Sequence, residues 1–124
     1  MDNLIFENLK KELERLEDFS EIIGVAIANR NGLLISSKLP RDIDERKFAA
    51  MAATMFSGIE TALSALENEQ INNFTVEFND NQLIILGINE KAIIVVLLNY
   101  NVNLGLIFIE IEESIKNIQK ILNR

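Results

Sequence analysis

The residue pattern predicts an α+β domain in three layers (α/β/α): a five-stranded antiparallel sheet with the long central helix on one face and the two terminal helices on the other. Three observations predict it. Residues 44–66 are a run of helix formers without proline, apolar along one side. Residues 83–88 and 92–98 are apolar on both faces, which in a strand demands cover from both sides of the sheet. Short turns bearing Asn and Gly separate the apolar runs, and such turns join consecutive strands antiparallel. The order of elements is α-β-β-α-β-β-β-α, in one domain over residues 1–124.

In chain order, Asp2 is placed to cap a first helix. Leu4, Ile5, Leu9, Leu13 and Leu16 recur at helical spacing, with Lys10, Lys11, Glu12, Glu14, Arg15 and Glu17 turned outward. Residues 22–28 read as an apolar strand and 33–37 as a second. Between them lies Asn31-Gly32, the signature of a two-residue type I′ hairpin turn, whose central positions both need positive φ. The second strand ends at Lys38-Leu39-Pro40. Lys and Pro both discourage further pairing, so this strand suits a sheet edge.

The central helix opens at Asp42-Ile43-Asp44-Glu45, where Asp42 and Glu45 have the spacing of a capping box. Phe48, Met51, Ala52, Met55, Phe56, Ile59, Ala62, Leu63 and Leu66 form one broad apolar face. The other side carries Ala50, Ala53, Thr54, Ser57, Gly58, Thr61, Ser64 and Ala65, all small, and no charge falls between Lys47 and Glu60. A helix on the surface of a monomer shows water a row of Lys, Glu and Arg. This one is patterned to be covered twice, by its own sheet and by a second body. The plain alternative is that Ala, Ser and Thr simply tolerate solvent. Met55 reads as core filling, while Met51 fits either core or an adaptable binding surface.

Next, residues 74–78 alternate, Phe74, Val76 and Phe78 on one face and Thr75 and Glu77 on the other. This strand follows the long helical crossover and carries no Pro, Lys or bulge to protect it, so it is expected at an open edge, pairing with its own copy in a homodimer. The helix above would meet its twin through Ala50, Ala53, Thr54, Ser57, Gly58 and Thr61. Asn79-Asp80-Asn81 and Asn89-Glu90 are turns. After a loop at residues 99–103, Leu104, Ile107, Phe108, Ile111, Ile115, Ile118 and Leu122 keep helical spacing to the end. Residues 106–109 also fit a strand, but the persistence of the period favours helix.

Composition narrows the function. The net charge of −7, from 19 acids and 12 bases, disfavours nucleic acid and anionic membranes and suits solubility or a basic partner. Absence of Cys removes disulfide and thiol chemistry and fits a cytoplasmic protein; no basic leader or membrane-length apolar run is visible. With no His and no Cys, catalytic triads, Cys-His pairs and His-bearing metal sites are excluded, and neither common phosphate-cradling loop occurs. Asp42, Asp44 and Glu45 read better as helix-terminal acids than as a metal or acid–base cluster. Asn79-Asp80-Asn81 lacks the Gly and distal Glu of a calcium loop. Arg30 and Arg41 sit in or beside turns, where an arginine-finger role is weaker than that of ordinary exposed arginines. The chain reads as a non-enzyme without cofactor or metal.

Several local signatures, in order, resemble the Roadblock family of dynein light-chain-like proteins. They are Ile23-Gly24-Val25-Ala26-Ile27 running into Arg30-Asn31-Gly32-Leu33, Ile35-Ser36-Ser37 before Leu39-Pro40, Phe48-Ala49-Ala50-Met51-Ala52-Ala53, and Asn103-Leu104-Gly105-Leu106-Ile107. The resemblance implies a dimer with sheets joined edge to edge and long helices side by side. It implies a scaffold or regulator of small Ras-like GTPases without catalytic residues of its own, and the compact form is similar to the prokaryotic kind. A GTPase is then expected on the paired helices, with Glu60, Ser64 and Glu67 outward at the contact. Two other classes stay open: a structural subunit of a trafficking or signalling complex without a GTPase, and a small-molecule sensor.

Overall fold

The computed structural model describes residues 3–66, 71–99 and 102–123. Its elements are α1 (Asn3–Glu17), β1 (Ile22–Asn29), β2 (Leu34–Lys38), α2 (Glu45–Leu63), β3 (Asn73–Phe78), β4 (Asn81–Gly87), β5 (Ala92–Asn99) and α3 (Leu104–Leu122). The strands form one five-stranded sheet in the order β2-β1-β5-β4-β3, with every neighbouring pair antiparallel. The expected helix order, sheet and layers are therefore those observed. The proposed cap Asp2 lies outside the described residues.

Position in the sheet explains the two-faced strands. β5 is central, and all its residues from Ala92 to Leu98 are buried. Alternation sends Ile84, Leu86, Ile94 and Val96 to the layer of α1 and α3, where they meet Leu9, Leu13, Ile107 and Ile111. Leu83, Ile85, Ile93 and Val95 point the other way, onto Ala49, Ala52, Ala53 and Phe56 of α2. Full burial of one such aliphatic side chain is worth about 1.5–3 kcal/mol, so both helical layers are held by the same strands.

Several local expectations need correction. The first hairpin is not a two-residue type I′ turn. The Gly32 N–H donates to Asn29 O at 3.0 Å, which makes Arg30 and Asn31 the central residues. Of Asn31 and Gly32 only Gly32 has positive φ, at 95°. The cause is the Asn29 side chain, whose Oδ1 accepts from the N–H groups of Asn31 and Leu33, each at 3.0 Å, and so organises a longer turn. The two-residue hairpin occurs instead at Asn79-Asp80, where Phe78 pairs with Asn81 and Asn79 has φ 48°.

The α2 N-cap is Asp44, accepting from Lys47 N–H at 3.1 Å, and not Asp42. Glu45 accepts from the Ser37 hydroxyl of β2 instead of closing a capping box. The helix ends at Leu63 and not at Leu66. Leu4 is 53% exposed instead of facing the core. Glu12 and Arg15, expected outward, lie between α1 and α3: Arg15 meets Glu12 at 3.0 Å and Glu110 at 3.1 Å, and Asn117 Nδ2 donates to Glu12 at 2.8 Å. Arg15 also donates to the hydroxyl of fully buried Ser114. These pairings run α1 antiparallel to α3. Burial opposes the Arg15 charge, but hydrogen bonds to Glu12 and Glu110 outweigh it and raise the guanidinium pKa, so it stays charged.

Candidate functional site

The surface of α2 away from the sheet has two unlike flanks. The buried stripe is Ala49, Ala52, Ala53 and Phe56. Its small residues let the helix sit close to the sheet, with Phe56 as the one large wedge. Ala53, expected on the outer face, is only 4% exposed. It is covered by its own hairpin: a Cβ on Gly32 would stand 3.9 Å from Ala53 Cβ and 3.4 Å from Ala50 Cα. One flank of α2, that of Ala50 and Ser57, therefore adjoins the β1–β2 turn. By helical spacing Phe48, Met55 and Ile59 lie on the opposite flank, toward β3. There Phe74 and Val76 are half-buried and Phe78 is exposed.

Between the flanks, Met51, Thr54, Gly58 and Thr61 face solvent. Met51 is 52% exposed, which resolves its role in favour of surface. The hydroxyls of this surface are turned inward on the helix itself. Thr54 donates to Ala50 O at 2.9 Å, Thr61 to Ser57 O at 3.0 Å and Ser64 to Thr61 O at 2.6 Å. A row that reads as polar thus presents mainly methyl groups and offers few free donors. No charge interrupts it from Ala50 to Ile59.

Arg30 bounds the site on the hairpin side. Its guanidinium lies 4.7 Å from the centre of the Phe56 ring, bonds Glu60 at 2.9 Å, and donates to Asn89 O at 2.9 and 3.3 Å. A cavity of about 80 Å³ lies here among Arg30, Ala53, Phe56, Ser57, Glu60 and Ile93. Gly87 makes room: a Cβ there would stand 3.2 Å from Arg30 Nη2 and 3.7 Å from Phe56 Cζ. Arg30 is thus a half-buried tie between the β1–β2 turn, the β4–β5 turn and α2, not an exposed turn arginine, whereas Arg41 is exposed. Sequence reasoning missed this because Glu60 and Asn89 stand 30 and 59 positions away. Glu60, expected free for a partner, is exposed but already paired with Arg30; Ser64 is exposed, and Glu67 lies outside the described residues.

The two sheet edges differ. On β2, Ser37 is buried, with its carbonyl bonded by Lys10 of α1 and its hydroxyl by Glu45 of α2. On β3, Gly87 N–H donates to Asn72 O at 3.2 Å, so alternation turns the backbone groups of Phe74, Val76 and Phe78 toward β4. Thr75 and Glu77 then direct their N–H and C=O groups to the open edge, and both residues are exposed. Among the described residues, no group of three or more His, Cys, Asp or Glu is placed to hold a metal ion, and no helix is long and apolar enough to cross a membrane.

Known proteins share this architecture. A relative from Methanocaldococcus jannaschii, the uncharacterized protein MJ1340, is 27% identical over 111 residues, spanning 90% of this chain and 96% of its own. Myxococcus xanthus MglB superposes with a TM-score of 0.89 at 21% identity, covering 95% of this chain and 97% of that one. A further MglB structure, one with a tetrameric arrangement, superposes at 0.88 with 14% identity, over 98% of this chain and 92% of that one. At these identities the likeness to solved structures is one of fold. The sequence profile of the Roadblock/LC7 domain matches residues 9–98, from the middle of α1 almost to the end of β5. With most of its length matched, and with the element order and layering of its structural neighbours, the chain belongs to the Roadblock/LC7 domain family.

Proposed function

We propose that this protein is a non-catalytic, cytoplasmic, homodimeric scaffold or regulator that binds a small Ras-like GTPase on the outer face of α2. The observation that carries it is the uncharged outer row of that helix, whose hydroxyls are already bonded to its own carbonyls. Such a surface suits docking by shape and apolar contact, with flanking charges tuning the association rate. Family membership supports the choice of a GTPase as partner.

The dimer forms by pairing of β3 with its copy, extending the sheet across both protomers; the unprotected edge at Thr75 and Glu77 supports this, as does the bond of Lys10 to the Ser37 carbonyl of the other edge strand, β2. In such a dimer the flank of α2 nearest β3 meets its twin. That shifts the helix contact from Ala50, Ala53, Thr54, Ser57 and Thr61 to Met51, Met55 and Ile59, with Gly58 kept. Ala50, Thr54, Ser57 and Thr61 are left for the partner, with Glu60 and Ser64 at the rim.

Calorimetry tests the reading. Each small GTPase of the source genome, loaded with GDP or a GTP analogue, is titrated with wild type, Thr54→Arg, Glu60→Lys and Ser64→Arg. One GTPase is expected to bind wild type, preferentially in its GTP form, and to lose affinity for the variants. Binding by none, or equal binding to all variants, would move the structural-subunit role ahead.

A further inference from the structure

The helix α3 changes character along its length. No charge falls between Lys91 and Glu110, so its first turns, Leu104 to Ile109, are apolar on every side except at Gly105. Acids follow at once, at Glu110, Glu112 and Glu113. A helix segment apolar all round is patterned to be covered all round. The fold covers only part of this one. Ile107 is buried and Leu104 and Phe108 are half-buried, but Leu106 is 53% and Ile109 62% exposed. Standing three positions apart, these two form one apolar spot on adjacent turns. The same two-sided pattern is what lets residues 106–109 also fit a strand.

The margin of the spot is acidic. Glu112 and Glu113 lie one turn beyond Ile109 on its own helix. Asp18 faces it from α1. The Asp18 N–H donates to Glu14 O at 3.1 Å, which continues α1 about one turn past Arg15, and Arg15 bonds Glu110, one turn past Leu106. In an antiparallel helix pair this brings Asp18 level with Leu106. Asp18, Glu112 and Glu113 are all exposed, and none belongs to an ion pair among the described residues. Of the nearby bases, Arg15 is already held by Glu12 and Glu110. Lys11 stands about two turns from Asp18, and Lys116 about two turns from Ile109.

Charge selects the occupant. A second copy seated here would bring the same three acids together across the contact, and an anionic lipid surface would meet them as well. A cationic partner gains where these lose. An exposed apolar centre with a charged margin is the anatomy of a protein contact, and the ridged surface of two packed helices suits a third helix laid along it.

We propose that the first two turns of α3 dock a basic amphipathic helix of a partner protein, with its apolar stripe on Leu106 and Ile109 and its Lys or Arg side chains against Asp18, Glu112 and Glu113. The site lies on the opposite face of the sheet from α2, so it does not rest on the proposed GTPase surface.

Fluorescence anisotropy decides it, using the whole protein and three labelled helical peptides of equal length. The first carries Leu at helical spacing and Lys elsewhere, the second Glu in place of each Lys, and the third Ser in place of each Leu. The Leu-Lys peptide is expected to bind at least about tenfold more tightly than either of the others. Leu106→Ser with Ile109→Ser changes only exposed side chains and should weaken it by about tenfold or more, as should Glu112→Lys with Glu113→Lys. Glu7→Lys with Glu90→Lys makes the same change of net charge at exposed positions far from the spot and should leave binding within about twofold. No binding of the Leu-Lys peptide, equal binding of the Ser-Lys peptide, or equal losses in the two charge-reversed proteins would overturn the proposal, because the attraction would then be general to an acidic protein. Light scattering and vesicle sedimentation test the other occupants. A smaller oligomer in Leu106→Ser with Ile109→Ser would make the spot a contact between copies, and wild-type binding to phosphatidylcholine vesicles that this variant loses would make it a lipid contact. Either result would also overturn the proposal.

Discussion

The Arg30 guanidinium stands 4.7 Å from the centre of the Phe56 ring while it bonds Glu60 one turn further along α2. The same group holds the Asn89 carbonyl of the β4–β5 turn, so one side chain ties the β1–β2 and β4–β5 turns to the helix. Its exposed ion pair is worth little by itself, about 0–1 kcal/mol. The cation–π contact and the hydrogen bonds to Asn89 supply the rest. Arg30→Ala is expected to cost about 1–3 kcal/mol in chemical denaturation. Arg30→Lys should recover less than half of that, since an ammonium cannot keep the planar stack and fork together. A lysine variant as stable as wild type would mean that charge alone matters here.

At the first hairpin, Gly32→Val forces a β-branched residue to a φ of 95° against Ala50 and should cost about 1–3 kcal/mol. Asn31→Val should be tolerated far better, because Asn31 does not have positive φ. Equal losses of melting temperature in the two variants would favour the type I′ turn over the one described.

For the dimer, Thr75→Pro is a cleaner probe than Val76→Pro. The Thr75 N–H points to the open edge, whereas Val76 belongs to the ladder with β4. Light scattering should report a dimer for wild type and a folded monomer for Thr75→Pro, while Val76→Pro should also lower the melting temperature. A monomeric wild type, or a dimer unaffected by Thr75→Pro, would remove β3 as the joint.

Between α1 and α3, Glu12→Ala leaves Arg15 and Asn117 without their shared acceptor and should cost about 1–3 kcal/mol. The raised pKa of Arg15 implies stability that is present below its unfolded value and lost only above it, beyond the alkaline range in which the protein is handled. Stability from pH 6 to 9 should therefore show no slope attributable to Arg15. A slope in that window that disappears in Arg15→Met would contradict this.

By itself the sequence determined the element order, the sheet, the layers and the family. Period-two and helical apolar spacing are local properties, and residues 83–88 and 92–98 could not be apolar on both faces anywhere but under two helical layers. It also singled out α2 as the unusual helix and β3 as the unguarded strand. Only the tertiary structure decided which way α2 is turned. Ala53 and Thr54 are neighbours of similar size, yet one is sealed beneath Gly32 and the other faces solvent, and the choice depends on a hairpin that sequence spacing does not locate. Likewise Asn29, by accepting two backbone N–H groups, set a turn that Asn31-Gly32 alone would not make. Arg30 acquired its role only when the fold brought Phe56, Glu60 and Asn89 to one point, because pairing across such separations is a property of packing and leaves no periodic trace in the chain.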